Sequence, residues 1–450
     1  MAADPGHGRL IPPPGEPASR RAVLALAVPS LGALAAEPLY VLADTAIVGH
    51  LGTPQLGGLG VASTVLLTAA TIFIFLAYGT TGAVGRRTGA GDPRGAAHVA
   101  VQGLWLALGL GVAAAAVLAV SGPALIRLLG GEGEVAANAE VYLRISLLGL
   151  PALLVTMAGT GYLRGIQDAR TPLVVAGATA VGNLVLQVAL IEGLGYGIGA
   201  SALSTVVAQV AGAAVYLVKV GGAARRLGAS LAPDREVLVR LARIGRDLLV
   251  RTATLRLAFG AATAVAARLG EVPLAAHQVA FEIMTSLSLV LDALAIAGQS
   301  LVSTALGAGD GGSARATGAR ILGWGVLAGV VAGAGLLALR VPLAGVFSDD
   351  PAVEALTAEL LLWVAVLQPV AGAVFALDGI LIGAGDLRYL ARAMAGAAAL
   401  FVVLALGVLG ADLGVAWLWA ALGVMLLARL LPLLVRFRRG RWAVAGAEHP

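Results

Sequence analysis

The 450 residues contain no cysteine and a single lysine, Lys219, and only 12% of them are charged. Without cysteine there is no disulfide framework, no thiolate nucleophile and no sulfur-based zinc site. The five histidines show no ligand spacing, so no metal site is expected. Because Lys219 is followed by Val220, the Gly-x-x-x-x-Gly-Lys-Ser/Thr phosphate loop is missing, and with it any ATP-driven step by this chain alone. An ordinary soluble domain is about 25% charged. At half that fraction and with 59% hydrophobic residues, the composition excludes a soluble multidomain enzyme.

What the chain has instead is apolar length. Runs fall at 22–48, 57–85, 97–121, 139–162, 172–192, 197–218, 248–269, 275–305, 321–341, 355–382, 393–411 and 415–435. A spanning helix needs about 20 apolar residues. Twelve spans therefore account for most of the chain, and the expected fold is all-α. Residues 1–21, with five prolines, read as a disordered arm. A cleaved signal peptide is not expected, because 22–48 exceeds a signal's apolar core and carries Glu37 and Asp44.

The charge that remains is sorted. With loops assigned to alternate sides, Arg20, Arg21, Arg86, Arg87, Arg94, Arg164 and Arg170 share one side. The same side takes the 219–247 segment and the tail 436–450, whereas Glu132, Glu134, Asp349, Asp350 and Asp412 lie opposite, with Arg127 and Arg340 as the basic exceptions there. By the positive-inside rule the arginine side is cytoplasmic, so both termini are expected inside. The net charge of +5 thus reports orientation and not nucleic-acid binding. The preference for Ala, Gly and Arg over Lys suggests a GC-rich bacterial source and hence the bacterial cytoplasmic membrane.

Shifting the chain by 218 residues superposes Leu51-Gly52 on Leu269-Gly270 and Gly89-Ala90-Gly91-Asp92 on Gly307-Ala308-Gly309-Asp310. The same shift places Pro151 on Pro369, and Gly161, Gly165 and Asp168 on Gly379, Gly383 and Asp386. One gap-free offset across six spans predicts a parallel duplication: 22–218 as the first lobe, 219–247 as a cytoplasmic linker and 248–435 as the second lobe. Transporters built this way bind substrate between their repeats. Asp92, Asp310, Asp168 and Asp386, kept in both halves, are expected to cap helices.

The intramembrane acids Glu37, Asp44, Glu282, Asp292 and Asp378 are not duplicated. Each costs about 2.5–3.5 kcal/mol in the bilayer on the insertion scale, so each needs a partner, a wet cavity or a proton. On the eighth span Gln278 and Glu282 share a face, while Glu282 and Asp292 point apart. Two readings of the second lobe stay open. In one, Arg256 pairs with Glu282, Asp292 or Asp378 while Arg251 snorkels to the surface. In the other, Glu282 or Asp378 faces a cavity and attracts a cation.

The strings Glu37-Pro38-Leu39-Tyr40, Asp44-Thr45-Ala46 and Gly49-His50-Leu51-Gly52 resemble the DinF branch of the MATE multidrug and toxin extrusion transporters. Ala275-Ala276-His277-Gln278, Leu306-Gly307-Ala308-Gly309-Asp310 and Leu377-Asp378-Gly379 extend the resemblance, which covers roughly residues 20–438. It implies two six-helix lobes forming a V. It also implies export of organic, often cationic compounds by alternating access, driven by an inward proton or sodium gradient, with the lipid bilayer as surroundings. No cofactor and no nucleic-acid partner is implied, and a monomer is expected.

Through that resemblance Asp44 matches the cation-coupling aspartate. Glu37 lies two turns earlier on nearly the same face, and Pro29 and Pro38 supply hinges. Where the family commonly has Asn and then Asp four residues later, this chain has Asn183 and Gln187. The proton is then expected to rest on Asp44, with Asn183, Gln187 and Tyr40 as polar partners, and sodium remains open because amide oxygens are acceptable ligands. A flippase for lipid-linked saccharides would need a cationic cavity, hinted at only by Arg256 and Arg251. An intramembrane enzyme would need a clustered catalytic motif, and no Asp-x-x-Asp pair or His-x-x-x-Asp cluster occurs.

Overall fold

The computed structural model describes residues 16–193 and 196–447, and among these the fold is all-α, without strands. The first half comprises α1 (Arg20–Gly49), α2 (Thr53–Ile72), α3 (Phe75–Gly89), α4 (Pro93–Leu128), α5 (Gly133–Ser146), α6 (Leu150–Gly165), α7 (Arg170–Val188) with a π-helical turn at Ala189–Gly193, and α8 (Ile198–Arg226). The second comprises α9 (Arg235–Leu269), α10 (Glu271–Gly307), α11 (Gly311–Phe347), α12 (Pro351–Ala384), α13 (Leu387–Gly410) and α14 (Val415–Arg438). Eleven stretches are long and apolar enough to cross a membrane, and the bent pair α5 and α6 makes twelve. Val112, Val117 and Val120 stand exposed on α4, as a lipid-facing side requires.

The helices repeat at the offset seen in the sequence. Adding 218 to the start of α2 and the end of α3 gives 271 and 307, the bounds of α10, and adding it to the start of α4 gives 311, the start of α11. Gly52 and Gly270, equivalent positions, open α2 and α10 at φ values of 134° and 126°, where a side chain would strain the backbone. Asp92 and Asp310 cap α4 and α11 by accepting from Gly95 N and Ser313 N at 2.7 and 2.8 Å. Asp168 accepts from Thr171 N at the start of α7, at 3.0 Å. Asp386 departs from the expected capping role. It makes no cap bond, and its carboxylate takes the guanidinium of Arg436 at 2.6 Å instead.

The first half breaks two helices that the second keeps whole, a difference the apolar runs did not disclose. The 57–85 run divides into α2 and α3 at Phe73-Ile74, inside the β-branched and aromatic string Thr71-Ile72-Phe73-Ile74-Phe75. Its equivalent, Leu289-Val290-Leu291-Asp292-Ala293, has fewer residues that lose rotamer freedom in a helix, and α10 runs through. The 139–162 run divides into α5 and α6, bent by 51°. The break falls at Gly149, ahead of Pro151, and a Cβ at Gly149 would sit 2.0 Å from Gln209 Oε1. Pro369, the equivalent of Pro151, lies inside a continuous α12.

The chain clusters into two compact units, one of residues Val28–Gly245 and the other of residues up to Ala27 with those from Arg246 onward. Their borders fall inside α1 and α9, not in loops. The 219–247 segment, expected as a linker, is therefore mostly helix, with a connection only at 227–234. Of the expected disordered arm, residues 1–15 lie outside the described residues. The remainder is ordered, with Ala18 buried and α1 starting at Arg20. The tail is likewise packed as far as Trp442, which is buried and stacks on Phe437 at 5.5 Å; residues 448–450 lie outside the description.

Helix association in lipid depends on close backbone approach. Along α11 the stripe Gly325, Gly329 and Gly333 meets α12. Added Cβ atoms there would lie 2.5, 2.3 and 2.4 Å from the carbonyl oxygens of Gly372, Gln368 and Ala365. These atoms are backbone and cannot step aside. Gly329→Val is therefore expected to lower the thermal unfolding midpoint in detergent by several degrees, the effect of roughly 1–3 kcal/mol of overpacking. An unchanged midpoint would show that the two helices do not meet there.

Candidate functional site

In the Val28–Gly245 unit, Asp44 projects from α1 into a buried polar cluster and is 5% exposed. Its Oδ1 accepts from Gln187 Nε2 at 2.5 Å and from Ser201 Oγ at 2.6 Å. The Tyr142 side chain, from α5, reaches the same carboxylate. Among the described residues Asp44 has no basic partner. Gln187 is fully buried, and its Oε1 has no hydrogen-bond partner among the described residues, so only one end of the amide is satisfied.

A second tier lies beside this pair. Tyr40 OH and Thr205 Oγ1 are 2.7 Å apart, Asn183 Nδ2 donates to Thr205 Oγ1 at 3.2 Å, and Ser204 Oγ donates to Asn183 Oδ1 at 3.5 Å. Of the expected polar partners, Gln187 thus touches Asp44 directly, whereas Asn183 and Tyr40 converge on Thr205. Glu37 is exposed and makes no hydrogen bond to the cluster among the described residues, but it lies near enough to Tyr40 to act on it through its charge. Pro29 and Pro38 lie within α1, each removing one backbone donor from the helix ladder.

Ser201, Ser204 and Thr205 were not anticipated. The signal available was their spacing of three and four residues, which puts three hydroxyls on one side of an apolar helix. Each also bonds back into its own helix or the cluster: Ser204 Oγ and Thr205 Oγ1 donate to Ser201 O at 2.8 and 3.0 Å. The helix thereby brings oxygen-rich surface to α1 without carrying a charge.

The other unit holds a different arrangement. Asp378 Oδ2 accepts from Arg251 at 2.5 Å and also from Arg429, and Asp378 is 3% exposed. Its Oδ1 is buried without a partner among the described residues. Two guanidinium groups on one carboxylate leave a net charge of +1. This corrects the expectation that Arg251 reaches for the membrane surface. Arg251 does not snorkel, because the buried Asp378 is a better partner than a distant interface. Gln278 and Glu282 are exposed, and neither they nor Asp292 is brought to the Asp378 carboxylate. Arg256 is exposed on α9, and both it and Asp292 have interaction partners of their own. Arg429 was overlooked, although it is the one ionisable residue in the 415–435 run.

A duplicated set of six spans, with an acid buried on the first of them that has no counter-cation among the described residues, defines the class: a polytopic transporter of the parallel-repeat kind. The MatE family profile matches residues 29–189 and 249–406. The chain belongs to the MATE family. DNA damage-inducible protein F of Escherichia coli K12 is 32% identical over 444 residues, covering 95% of each chain. Protein DETOXIFICATION 44, chloroplastic, of Arabidopsis thaliana is 31% identical over 456 residues, covering 98% of this chain and 85% of the relative. A MOP superfamily transporter from Pyrococcus furiosus shares the fold, with a TM-score of 0.85 at 22% identity over 99% of both chains. The family expected from the strings in α1 is the family found.

Proposed function

We propose that this protein is a secondary active exporter of organic, often cationic compounds, driven by inward proton movement and working by alternating access of its two units. The observation that carries the reading is Asp44, a carboxylate buried inside a membrane span with polar partners and, among the described residues, no basic one. A negative charge so placed is costly until a proton, a metal ion or a cationic substrate neutralises it, and exchange between such occupants is what an antiporter requires. Gln187 favours the proton: its Nε2 donates to the ionised acid, and a turn of the amide would offer the unsatisfied Oε1 to the protonated one. Sodium is the alternative occupant, with Asn183 and Gln187 supplying amide oxygens.

The flippase reading loses support, since Arg251 is tied to Asp378 and does not line up as a pyrophosphate ligand. The sorting of arginines supports a bacterial cytoplasmic membrane location with both termini inside. The test is uptake of a fluorescent cationic dye by proteoliposomes under an imposed proton gradient or an imposed sodium gradient. Dye movement under the proton gradient alone is the expected result. Movement under sodium alone would replace the coupling ion, and no movement under either would overturn the exporter reading.

A further inference from the structure

Each half of the chain is preceded by a short extended strap, and each strap is bonded to the other half. Before α1, Ser313 Oγ donates to Glu16 O at 2.6 Å, Ala18 N donates to Thr317 Oγ1 at 2.9 Å, and Arg320 donates to Ala18 O. Ser313, Thr317 and Arg320 form one face of α11. Ser19 then caps α1 by accepting from Ala22 N at 3.1 Å. The strap thus passes without a gap into the helix that bears Asp44.

Before α9 the partner is α4. Trp105 Nε1 donates to Leu231 O at 2.9 Å, Gln102 Nε2 donates to Ala232 O at 2.9 Å, and Asp234 N donates to Gln102 Oε1 at 2.8 Å. His98 meets the Asp234 carboxylate at 3.2 Å, a contact that holds that carboxyl below the usual range. Asp234 Oδ1 in turn accepts from Glu236 N at 2.9 Å and from Val237 N at 3.3 Å, starting α9. His98, Gln102 and Trp105 again form one helix face.

The two straps correspond through the duplication. The 218-residue offset carries α4 onto α11 and Gln102 onto Arg320, and both of these side chains grip a strap carbonyl just ahead of a helix cap. Each strap and the first turns of its helix cluster with the opposite half, so the chain crosses between units inside α1 and inside α9. In α1 the crossing lies next to Pro29. In α9 it lies at Gly245, where a Cβ would stand 2.4 Å from Phe75.

We propose that the two straps are permanent anchors, which hold the roots of α1 and α9 to the opposite repeat throughout the transport cycle. Ser313, Thr317, Arg320, His98, Gln102 and Trp105 are then positioning residues for the conformational change. The inference rests on the exporter reading for its consequence, but the anchoring itself can be read without transport.

The absence of native cysteine makes the experiment clean. Paired variants Ala18→Cys with Thr317→Cys, and Ala232→Cys with Gln102→Cys, are oxidised in proteoliposomes. Cross-linking yield is expected to be the same under either direction of the ion gradient, and the cross-linked protein is expected to transport dye at least as fast as the reduced one, in which the Thr317 and Gln102 hydrogen bonds are gone. A gradient-dependent yield, or transport that stops on oxidation and returns on reduction, would show that the straps must release. As a complement, Thr317→Val with Arg320→Ala is expected to lower turnover about tenfold at unchanged KM, with Arg320→Lys alone near normal. Normal turnover in the double variant would overturn the assignment. If the unaltered protein moves no dye, the exporter reading fails while the yield comparison still decides the anchors.

Discussion

Asp44→Asn is expected to abolish gradient-driven dye transport, a fall of at least about 100-fold in rate, while leaving the protein as stable as before or more so. The two outcomes have one cause. Asparagine keeps the shape, and its oxygen still accepts from Gln187 and Ser201, so the cluster around α1 survives. What disappears is a charge with no cation beside it, the feature that makes the position unfavourable for stability and useful for exchange. Raised stability with lost transport is the signature of a functional group held at a cost. Measuring the unfolding midpoint and dye flux on the same preparation separates this from misfolding. Coupled transport surviving in the variant would remove Asp44 from the mechanism.

Asp378→Asn is expected to act the other way, on stability. Removing the carboxylate leaves Arg251 and Arg429 facing each other inside the unit, and breaking a buried pair from one side costs about 3–5 kcal/mol. Poor recovery of folded protein and a markedly lower unfolding midpoint should follow. Replacing all three residues with apolar side chains of similar volume, Asp378→Leu with Arg251→Met and Arg429→Met, should restore most of the loss, because buried ion pairs are often matched by apolar packing. An Asp378→Asn protein as stable as the unaltered one would mean that the cluster is hydrated and not closed.

The sequence and the structure agree where one physical signal dominates. Apolar runs, arginine sorting and a single offset are properties of long stretches, so they specify the twelve spans and the duplication without knowledge of any contact. The breaks at Phe73-Ile74 and Gly149 are local, and Pro151 and Pro369 show why they were hidden: the same residue stands at a bend in one half and inside a straight helix in the other.

The candidate site was legible in the same uneven way. Asp44 was visible as a charge where charge is costly, and its pairing with Gln187 was suggested by the resemblance, not by spacing. The hydroxyls of Ser201, Ser204 and Thr205 were overlooked because neutral polar residues carry little penalty in a span. That Arg251 turns to Asp378 and not to the interface is not legible, since a helix's sequence alone does not say which way an arginine turns. Arg429 had a visible signal that went unused.

The opposite charge states of the two buried clusters have an electrical consequence. A transmembrane potential acts on an elementary charge with about 2.3 kcal/mol per 100 mV for full passage. The cluster at Asp378 brings two guanidinium groups to one carboxylate, so the voltage pulls on its +1 in one sense. The cluster at Asp44 changes from −1 to zero when a proton binds, so the voltage pulls on it only while it is empty. On the proposed proton exchange at Asp44, membrane potential therefore distinguishes the loaded protein from the unloaded one at that residue.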